Sequence, residues 1–572
     1  MKNNTGAQCL PEIIKLSPNI PVIGVFAPCD PRIDQTSRKR AKNIIKIVAD
    51  TISGQVVLPD KTPVPVVYSN ILVDSEKQAD IAAQQFRNAG VNIIVCIPDT
   101  WAFPQLTTIS LIQQFPKETP LNITCGNSGP KPGVVYAHAA NGAISQYGRL
   151  VTLNVGNWPD TGMKPEMSPA TEKALIDWCY AAVTAVALRG RRVMIFGHDS
   201  MGMETALMHI LATRNIFGIE ITRLDMKLLV DMLLKGAYDK KELKELRGWI
   251  NKHIGKRLEL KTDADSTRFD QSLAMYLINR DLIKELNAVG GGFMSQLEWG
   301  SDIRGLPLPV ADTMESLFNS TFDHNGPKAP LPYATEADAQ ALLTMLFFTY
   351  LSGGNPPLFM DFRKAWEPWE IKALAKKHDI KLPAKADYVQ KGLVDGNNSG
   401  SAAFDWAAKP GTNVGSIMKN IIMPLADKHY FPGGGNSVTF VTPAGIKGIA
   451  GRMAYSSLTD KFSLIWDEAA TTSVPKKLEK AMCNLTNWNW PHTFVVPKYA
   501  GMVEYKQYAP ANHFHMTWEL PVARLQHWMD LTGVLSITPW TARPAFIEGV
   551  DRPKPLVYLL NGGEDIYKNS IR

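Results

Sequence analysis

Residues 333–362 read YATEADAQALLTMLFFTYLSGGNPPLFMDF, and the fold turns on how this stretch divides. Its middle, ALLTMLFFTYL, is apolar nearly all round, which predicts a buried helix rather than a surface one. Thr335 is a good N-cap, Glu336 would sit in the first turn where the helix dipole favours negative charge, and Gly353-Gly354 supplies the stop. Leu358 to Phe362, preceded by Pro356-Pro357, is short and apolar, as expected of a buried strand entering a parallel sheet. Asp361 would then lie near the carboxyl end of that strand, the edge where open α/β sheets bind ligands. Glu336 and Asp361 could converge there on one metal or one substrate carbon. The alternative is a capping Glu and a strand-end Asp paired with Arg363 or a lysine.

The α/β texture extends upstream. Through residue 156 strand-like and helix-like segments alternate: IPVIGVF, a helix to Ile52, VPVVYSNILV, SEKQADIAAQQFRNAG, VNIIVCIP, PLNITCG, GVVYAHAANGAISQYG and LVTLNVG. This is a βαβ pattern, which predicts a parallel, doubly wound sheet with right-handed crossovers. The loops after these strands carry Asp30, Arg32, Asp99 and Trp101. Residues 157–170, NWPDTGMKPEMSPA, have three prolines and no periodicity, and read as a linker. A long helix, ATEKALIDWCYAAVTAVALRG, then opens a second α/β domain with the strand RRVMIFG. Beyond Asp361 short apolar strands, glycines and tryptophans predict a β-rich region. The expected architecture is two doubly wound parallel α/β domains, 1–168 and 169–354, followed by a β-rich C-terminal domain, 355–572.

Composition narrows the function classes. At 572 residues the chain exceeds a single core, and 45% hydrophobic with 20% charged residues describes an ordinary globular protein. The run LLTMLFFTYL is about half the length a bilayer needs, and the N-terminus lacks a signal-peptide core, so no membrane partner is expected. Cys9, Cys29, Cys96, Cys125, Cys179 and Cys483 show no paired spacing, which argues for a reducing, cytoplasmic home. The net charge of +7 is concentrated in SRKRAKNIIK and KGAYDKKELKELRGWINKHIGKR, where basic residues alternate with apolar or acidic ones as on solvated helix faces. No nucleic-acid reader motif is present. The glycines of GHDSMGMETAL fit neither the dinucleotide fingerprint nor the phosphate loop.

A third donor to the carboxylates comes from far downstream. His513 and His515 alternate in APANHFHMTWE, so a strand would place both on one face with Asn512 and Phe514 on the other. A lone strand histidine is commonly a hydrogen-bonding residue, and no short metal motif such as His-Glu-x-x-His occurs. A Glu, Asp and His set is oxygen-rich and suits Mn²⁺ or Mg²⁺ better than zinc.

These residues and the runs around them resemble the L-fucose isomerase family. FDHNGPKAPLPYATEADAQALLTMLF from Phe322, NSGSAAFD from Asn398, YFPGGGNS from Tyr430, NWPHTFVVP from Asn489, Ser200-Met201-Gly202 and GPKPGVVY from Gly129 are similar to family signatures in the family's order. The resemblance covers about residues 20–550. It implies reversible conversion of L-fucose to L-fuculose, or of D-arabinose to D-ribulose, by enediol proton transfer between C1 and C2. Implied too are Glu336 and Asp361 as acid/base groups and metal ligands, His513 as third ligand, and Mn²⁺, with Mg²⁺ or Co²⁺ as substitutes. Arg363 would orient Asp361. Trp101, Gln296, Tyr430, Trp490 and Asn512 would contact the sugar, with Trp101 supplied by a neighbouring subunit of a homohexamer.

The chain departs from the family pattern close to the expected sugar. Phe26 stands where an arginine of the Ile-Gly-Ile-Arg-Pro motif is expected, with Arg32 as a substitute only along another loop path. Pro432 replaces a second arginine, and Phe514 replaces the glycine after the ligand histidine, so a reshaped pocket and a related aldose are expected. The alternative is a sugar-binding or regulatory homologue without turnover. L-arabinose isomerase, with two glutamates and two histidines, is the nearest enzymatic rival, and Asp361 argues against it.

Overall fold

The computed structural model describes residues 19–126, 133–156, 158, 163, 166–198, 200–295, 308–400, 402–456 and 460–537. It divides into two compact units, one of residues 19–189 with Pro521–Thr532, the other built on Gly190–Leu520.

In the first unit β1 (Ile23–Phe26), β2 (Val66–Tyr68), β3 (Ile93–Cys96), β4 (Leu121–Gly126) and β5 (Thr152–Gly156) form one sheet in the order β2-β1-β3-β4-β5. Every pairing is parallel. IGVF and IIVC are buried end to end, the continuous apolar signature of strands covered on both faces. One core cluster takes Ala41, Ile44, Val48 and Ile52 from the helix Gln35–Gln55, whose N-terminus Asp34 caps by accepting from the Ser37 amide. Another takes Ala79, Ala82, Phe86, Tyr136 and Ala140 from the helices Glu76–Asn88 and Gly133–Gln146.

The helix expected to open the second domain belongs here instead. Pro169–Ala187 contributes Leu175, Trp178, Cys179 and Val183 to the first unit's core, and Arg524 of the helix Val522–Thr532 bonds its Asp177. The compact unit therefore runs past the proline-rich 157–170 stretch, much of which lies outside the described residues. Prolines mark irregular backbone; they do not say on which side the next apolar helix packs.

The second unit has a parallel sheet of β6 (Arg192–Phe196), β7 (Glu220–Leu224), β8 (Ala288–Phe293) and, after the small hairpin β9 (Phe322–Asp323) and β10 (Gly326–Pro327), β11 (Tyr333–Ala334), ordered β11-β8-β6-β7. Close approach explains the glycines of β8: a Cβ on Gly291 would lie 2.7 Å from the Tyr333 ring. The β-rich part is an antiparallel barrel of β12 (Leu358–Trp366), β13 (Leu393–Asn397), β14 (Lys447–Ser456), β15 (Lys461–Thr471), β16 (His492–Pro497) and β17 (His513–Trp518). Its order β14-β17-β12-β13-β16-β15 closes through β14 with β15, and β18 (Leu535–Ile537) adds in parallel to β15.

Two readings of residues 333–362 change. The apolar strand joins this antiparallel barrel rather than a parallel sheet, and it continues to Trp366, so Asp361 sits inside it, opposite His513 on β17. Burial alone does not reveal strand direction. The helix starts at Ala339, capped by Asp338, which accepts from the Ala341 amide at 2.8 Å. Thr335–Ala337 is instead a tight turn in which Glu336 and Ala337 take left-handed φ values of 58° and 52°. The helix Ala339–Leu351 contacts β8 and β11 as well as β14 and β17, which accounts for its uniformly apolar surface.

Candidate active site

Glu336 is carried by the left-handed turn between β11 and the buried helix. Its amide donates to Ser295 Oγ at 3.2 Å, and Ser295 Oγ is 3.2 Å from Thr335 Oγ1. Non-glycine residues in this conformation cost of order 1 kcal/mol or more each, and such strain collects at functional sites. Asp361 and His513 face each other across the β12–β17 ladder, so their side chains share one barrel face.

The three side chains meet at the His513 ring. Its Nε2 lies 3.2 Å from Glu336 Oε2 and 3.9 Å from Asp361 Oδ1, while Nδ1 is 2.7 Å from Asp338 Oδ2. Glu336 and His513 are buried, and Asp361 retains some exposure. Burial works against a charged ring, but the bonds to Asp338 and Glu336 push the imidazole up to about 10. The Asp361 carboxyl is raised by its own burial and by Glu336 beside it, against His513 and Arg363. Arg363 Nη1 lies 3.5 Å from Asp361 Oδ2, as expected, and its guanidinium stands over the Trp490 ring at 5.3 Å.

Two acid oxygens facing one imidazole nitrogen form a site for positive charge. A proton on Nε2 meets that need, and so would a divalent cation; the two exclude one another, because a ligating histidine must be neutral. The oxygen-rich donor set fits a hard cation, and the Asp338 bond to Nδ1 is the usual outer partner of a metal-bound histidine. Among the described residues no three donors already stand at metal-cage spacing.

Other expected residues fall in two groups. Asn512 Nδ2 is 3.4 Å from Asp361 Oδ1, and Tyr430 packs edge-on against Trp490 at 5.3 Å, with Arg363 linking Trp490 to the carboxylates. Trp101 and Arg32 belong to the first compact unit: Trp101 packs against Tyr136 at 6.3 Å, and Arg32 bonds Asp30 through Nε at 2.9 Å and Nη2 at 2.7 Å. Gln296 lies outside the described residues.

Phe514, expected to reshape the pocket beside His513, does not face it. Phe514 points to the opposite face of β17 from His513, packs on Phe362 at 5.5 Å and is buried, as strand alternation requires. Phe26 fills the first unit's core against Phe86, and Pro432 is exposed.

Sequence reading missed Asp338, Arg452 and Asn398. Asp338 immediately precedes an apolar helix, the position of an N-cap, and that signal could have found it. Arg452 is a lone cation in the apolar run GIAGRMAY, which marks a buried, paired charge. It grips Asp338 through Nη1 at 2.8 Å and Nη2 at 3.0 Å. Asn398 Nδ2 lies 3.4 Å from His513 Nε2 and gave no periodic signal.

In the second unit the acid–histidine cluster stands where the turn after β11 meets the barrel strands β12 and β17. Residues 20–190 match the family description "L-fucose isomerase, first N-terminal domain", and residues 192–353 match "L-fucose isomerase, second N-terminal domain". The L-fucose isomerase of Streptococcus pneumoniae strain Taiwan19F-14 is 25% identical over 534 residues, covering 85% of this chain and 86% of that protein. The protein of the same name from strain 70585 is 25% identical over 530 residues with the same coverage. The chain belongs to the L-fucose isomerase family.

Proposed function

We propose that this protein is a divalent-cation-dependent ketol-isomerase acting on L-fucose, D-arabinose or a closely related aldose. The observation that carries the reading is the approach of Glu336 and Asp361 to His513 Nε2, with Nδ1 tied to Asp338. Glu336, Asp361 and His513 would hold the cation, Mn²⁺ in the first instance or Mg²⁺ or Co²⁺. Bound there, it would polarise the carbonyl and stabilise the enediolate. The chain's own groups move the protons. One carboxylate removes the C2 proton of the open-chain aldose as the C1 oxygen is protonated, giving a cis-enediol. Loss of the C2 hydroxyl proton and return of a proton to C1 leave the ketone at C2.

Asp361, whose carboxyl burial and Glu336 hold above the usual carboxylate range, would be one of the two groups that exchange the proton in this reading. Trp490, Tyr430, Asn512 and Arg363 line the sugar side in this reading, while Trp101, Arg32 and Gln296 complete it by resemblance, Trp101 from a neighbouring subunit of a homohexamer. A reducing cytoplasmic setting accords with free, buried thiols at Cys29, Cys96, Cys125, Cys179 and Cys483. Among the described residues no helix is long and apolar enough to cross a membrane.

The test is a ketose-forming assay on a panel of pentoses and 6-deoxyhexoses, after chelation and after Mn²⁺ is restored. Ketose that appears only with added cation supports the proposal. If no aldose yields ketose while one sugar raises the melting temperature, the protein binds sugar without turnover.

A further inference from the structure

Asp338 is the point at which three elements far apart in sequence, the buried helix, β14 and β17, are joined. Its Oδ1 caps the buried helix through the Ala341 amide at 2.8 Å and accepts from Arg452 Nη2 on β14 at 3.0 Å. Its Oδ2 accepts from Arg452 Nη1 at 2.8 Å and lies 2.7 Å from His513 Nδ1 on β17. Arg452 Nη2 also donates to the Thr205 carbonyl at 2.9 Å, anchoring the guanidinium from a third direction. Asp338 and Arg452 are each about 1% exposed, so neither partner can exchange its bonds for water.

The turn bearing Glu336 ends at Asp338. A single carboxylate therefore sets the register of the Glu336 turn against the strand that carries His513. It also fixes the imidazole. With Arg452 paired to it, Asp338 is an ionised carboxylate that can only accept, so His513 Nδ1 must carry a hydrogen. Nε2 is then the nitrogen left to face Glu336 and Asp361.

We propose that Asp338, clamped by Arg452, is a positioning residue that orients His513 with Nε2 toward Glu336 and Asp361 and thereby sets the cation affinity of the site. The inference rests on the metal-site reading above. Outer carboxylates of this kind tune metal affinity by roughly 10–100-fold.

The experiment compares Mn²⁺ affinity by EPR of the free ion in the wild type, Asp338→Asn, Asp338→Ser and Glu336→Gln, with metal-free melting temperatures and the Mn²⁺ dependence of ketose formation. Serine is itself a good N-cap, so Asp338→Ser keeps the helix capped while the His513 contact is lost. The expected result is a Kd for Mn²⁺ raised about 10–100-fold in both Asp338 variants, with activity partly restored by excess Mn²⁺. Should the unpaired arginine prevent folding, Asp338→Ser combined with Arg452→Met removes both buried charges and is read in the same way. Tight wild-type binding that is lost in Glu336→Gln but unchanged within twofold in the Asp338 variants overturns the positioning role alone. A wild type that binds no Mn²⁺ overturns the metal-site reading and this inference with it.

Discussion

Replacing Arg452 with Met tests whether the clamp on Asp338 holds the second unit together. The guanidinium and carboxylate make two bonds, 2.8 and 3.0 Å, with both side chains about 1% exposed. At an effective dielectric near 20, opposite charges about 4 Å apart attract by about 4 kcal/mol. Met fills much of the stem volume but offers no donor, so Asp338 keeps only the Ala341 amide and His513, and the Thr205 carbonyl loses its Arg452 bond. Breaking a buried pair from one side typically costs about 3–5 kcal/mol, because the remaining charge stays out of water. Spread over a unit of roughly 330 residues, with an unfolding entropy near 2.1 cal/mol/K per residue, this lowers the melting temperature by about 5 °C. Calorimetry of the metal-free protein measures the shift. Asp338→Asn with Arg452→Met should recover at least about 2 kcal/mol, since no unpaired charge then remains. An Arg452→Met protein within about 1 kcal/mol of wild type, or a double variant as unstable as the sum of the singles, would refute the reasoning.

Glu336→Gln and Asp361→Asn should each slow exchange of the C2 proton into D₂O by roughly 10²–10⁴-fold, followed by NMR on whichever aldose gives ketose; retained exchange in either sinks the two-carboxylate mechanism. His492 Nδ1 is 2.9 Å from Asp395 Oδ1 and Nε2 is 2.9 Å from the Asn487 carbonyl. Although burial opposes it, Asp395 pushes the ring up to about 10. The unfolded ring titrates near 6.5, so this stabilisation is complete below about pH 6.5 and lost as pH rises through about 10. His492→Gln should flatten that decline, and urea midpoints at several pH values with unchanged slope would contradict it. Phe514→Ala should cost about 3–5 kcal/mol in stability yet leave sugar selectivity unchanged, because the ring lies on the face of β17 away from His513. A changed preference across the aldose panel would place Phe514 in the pocket after all.

The parallel α/β layers were legible because their strands are short apolar runs separated by helix-period segments. Ile23–Phe26 and Ile93–Cys96 are buried throughout, as their composition demands. The barrel was legible only as β-rich texture. Leu358–Phe362 carries the same continuous apolar signature as a parallel strand, and its direction is decided by its antiparallel partners, β13 and the β17 strand more than a hundred residues away. The helix boundary failed for a local reason. Thr335 and Asp338 are both acceptable caps, and the left-handed turn at Glu336 and Ala337, which selects Asp338, uses residues without the glycine that usually announces such backbone. Asp338 and Arg452 escaped notice because their bond spans more than a hundred residues and has no spacing to read.

That hidden pair changes the weight of the departures from the family pattern. Phe514 follows His513 directly in sequence, but alternation along β17 sends it into the Phe362 packing, and Phe26 is absorbed into the core of the first unit. Around His513 the contacts with Glu336, Asp361 and Asp338 are all made by residues that match or adjoin the family signature. The contacts around His513 on which the proposed function rests therefore do not involve the substituted positions. What the missing arginines would alter is the number of donors offered to the sugar hydroxyls, and a site built to bond a hydroxyl discriminates far more sharply than one that only packs against it. On the proposed function, differences in sugar preference from the family should follow Pro432, which is exposed in the second unit, with the proton transfer proposed for Glu336 and Asp361 left as it is.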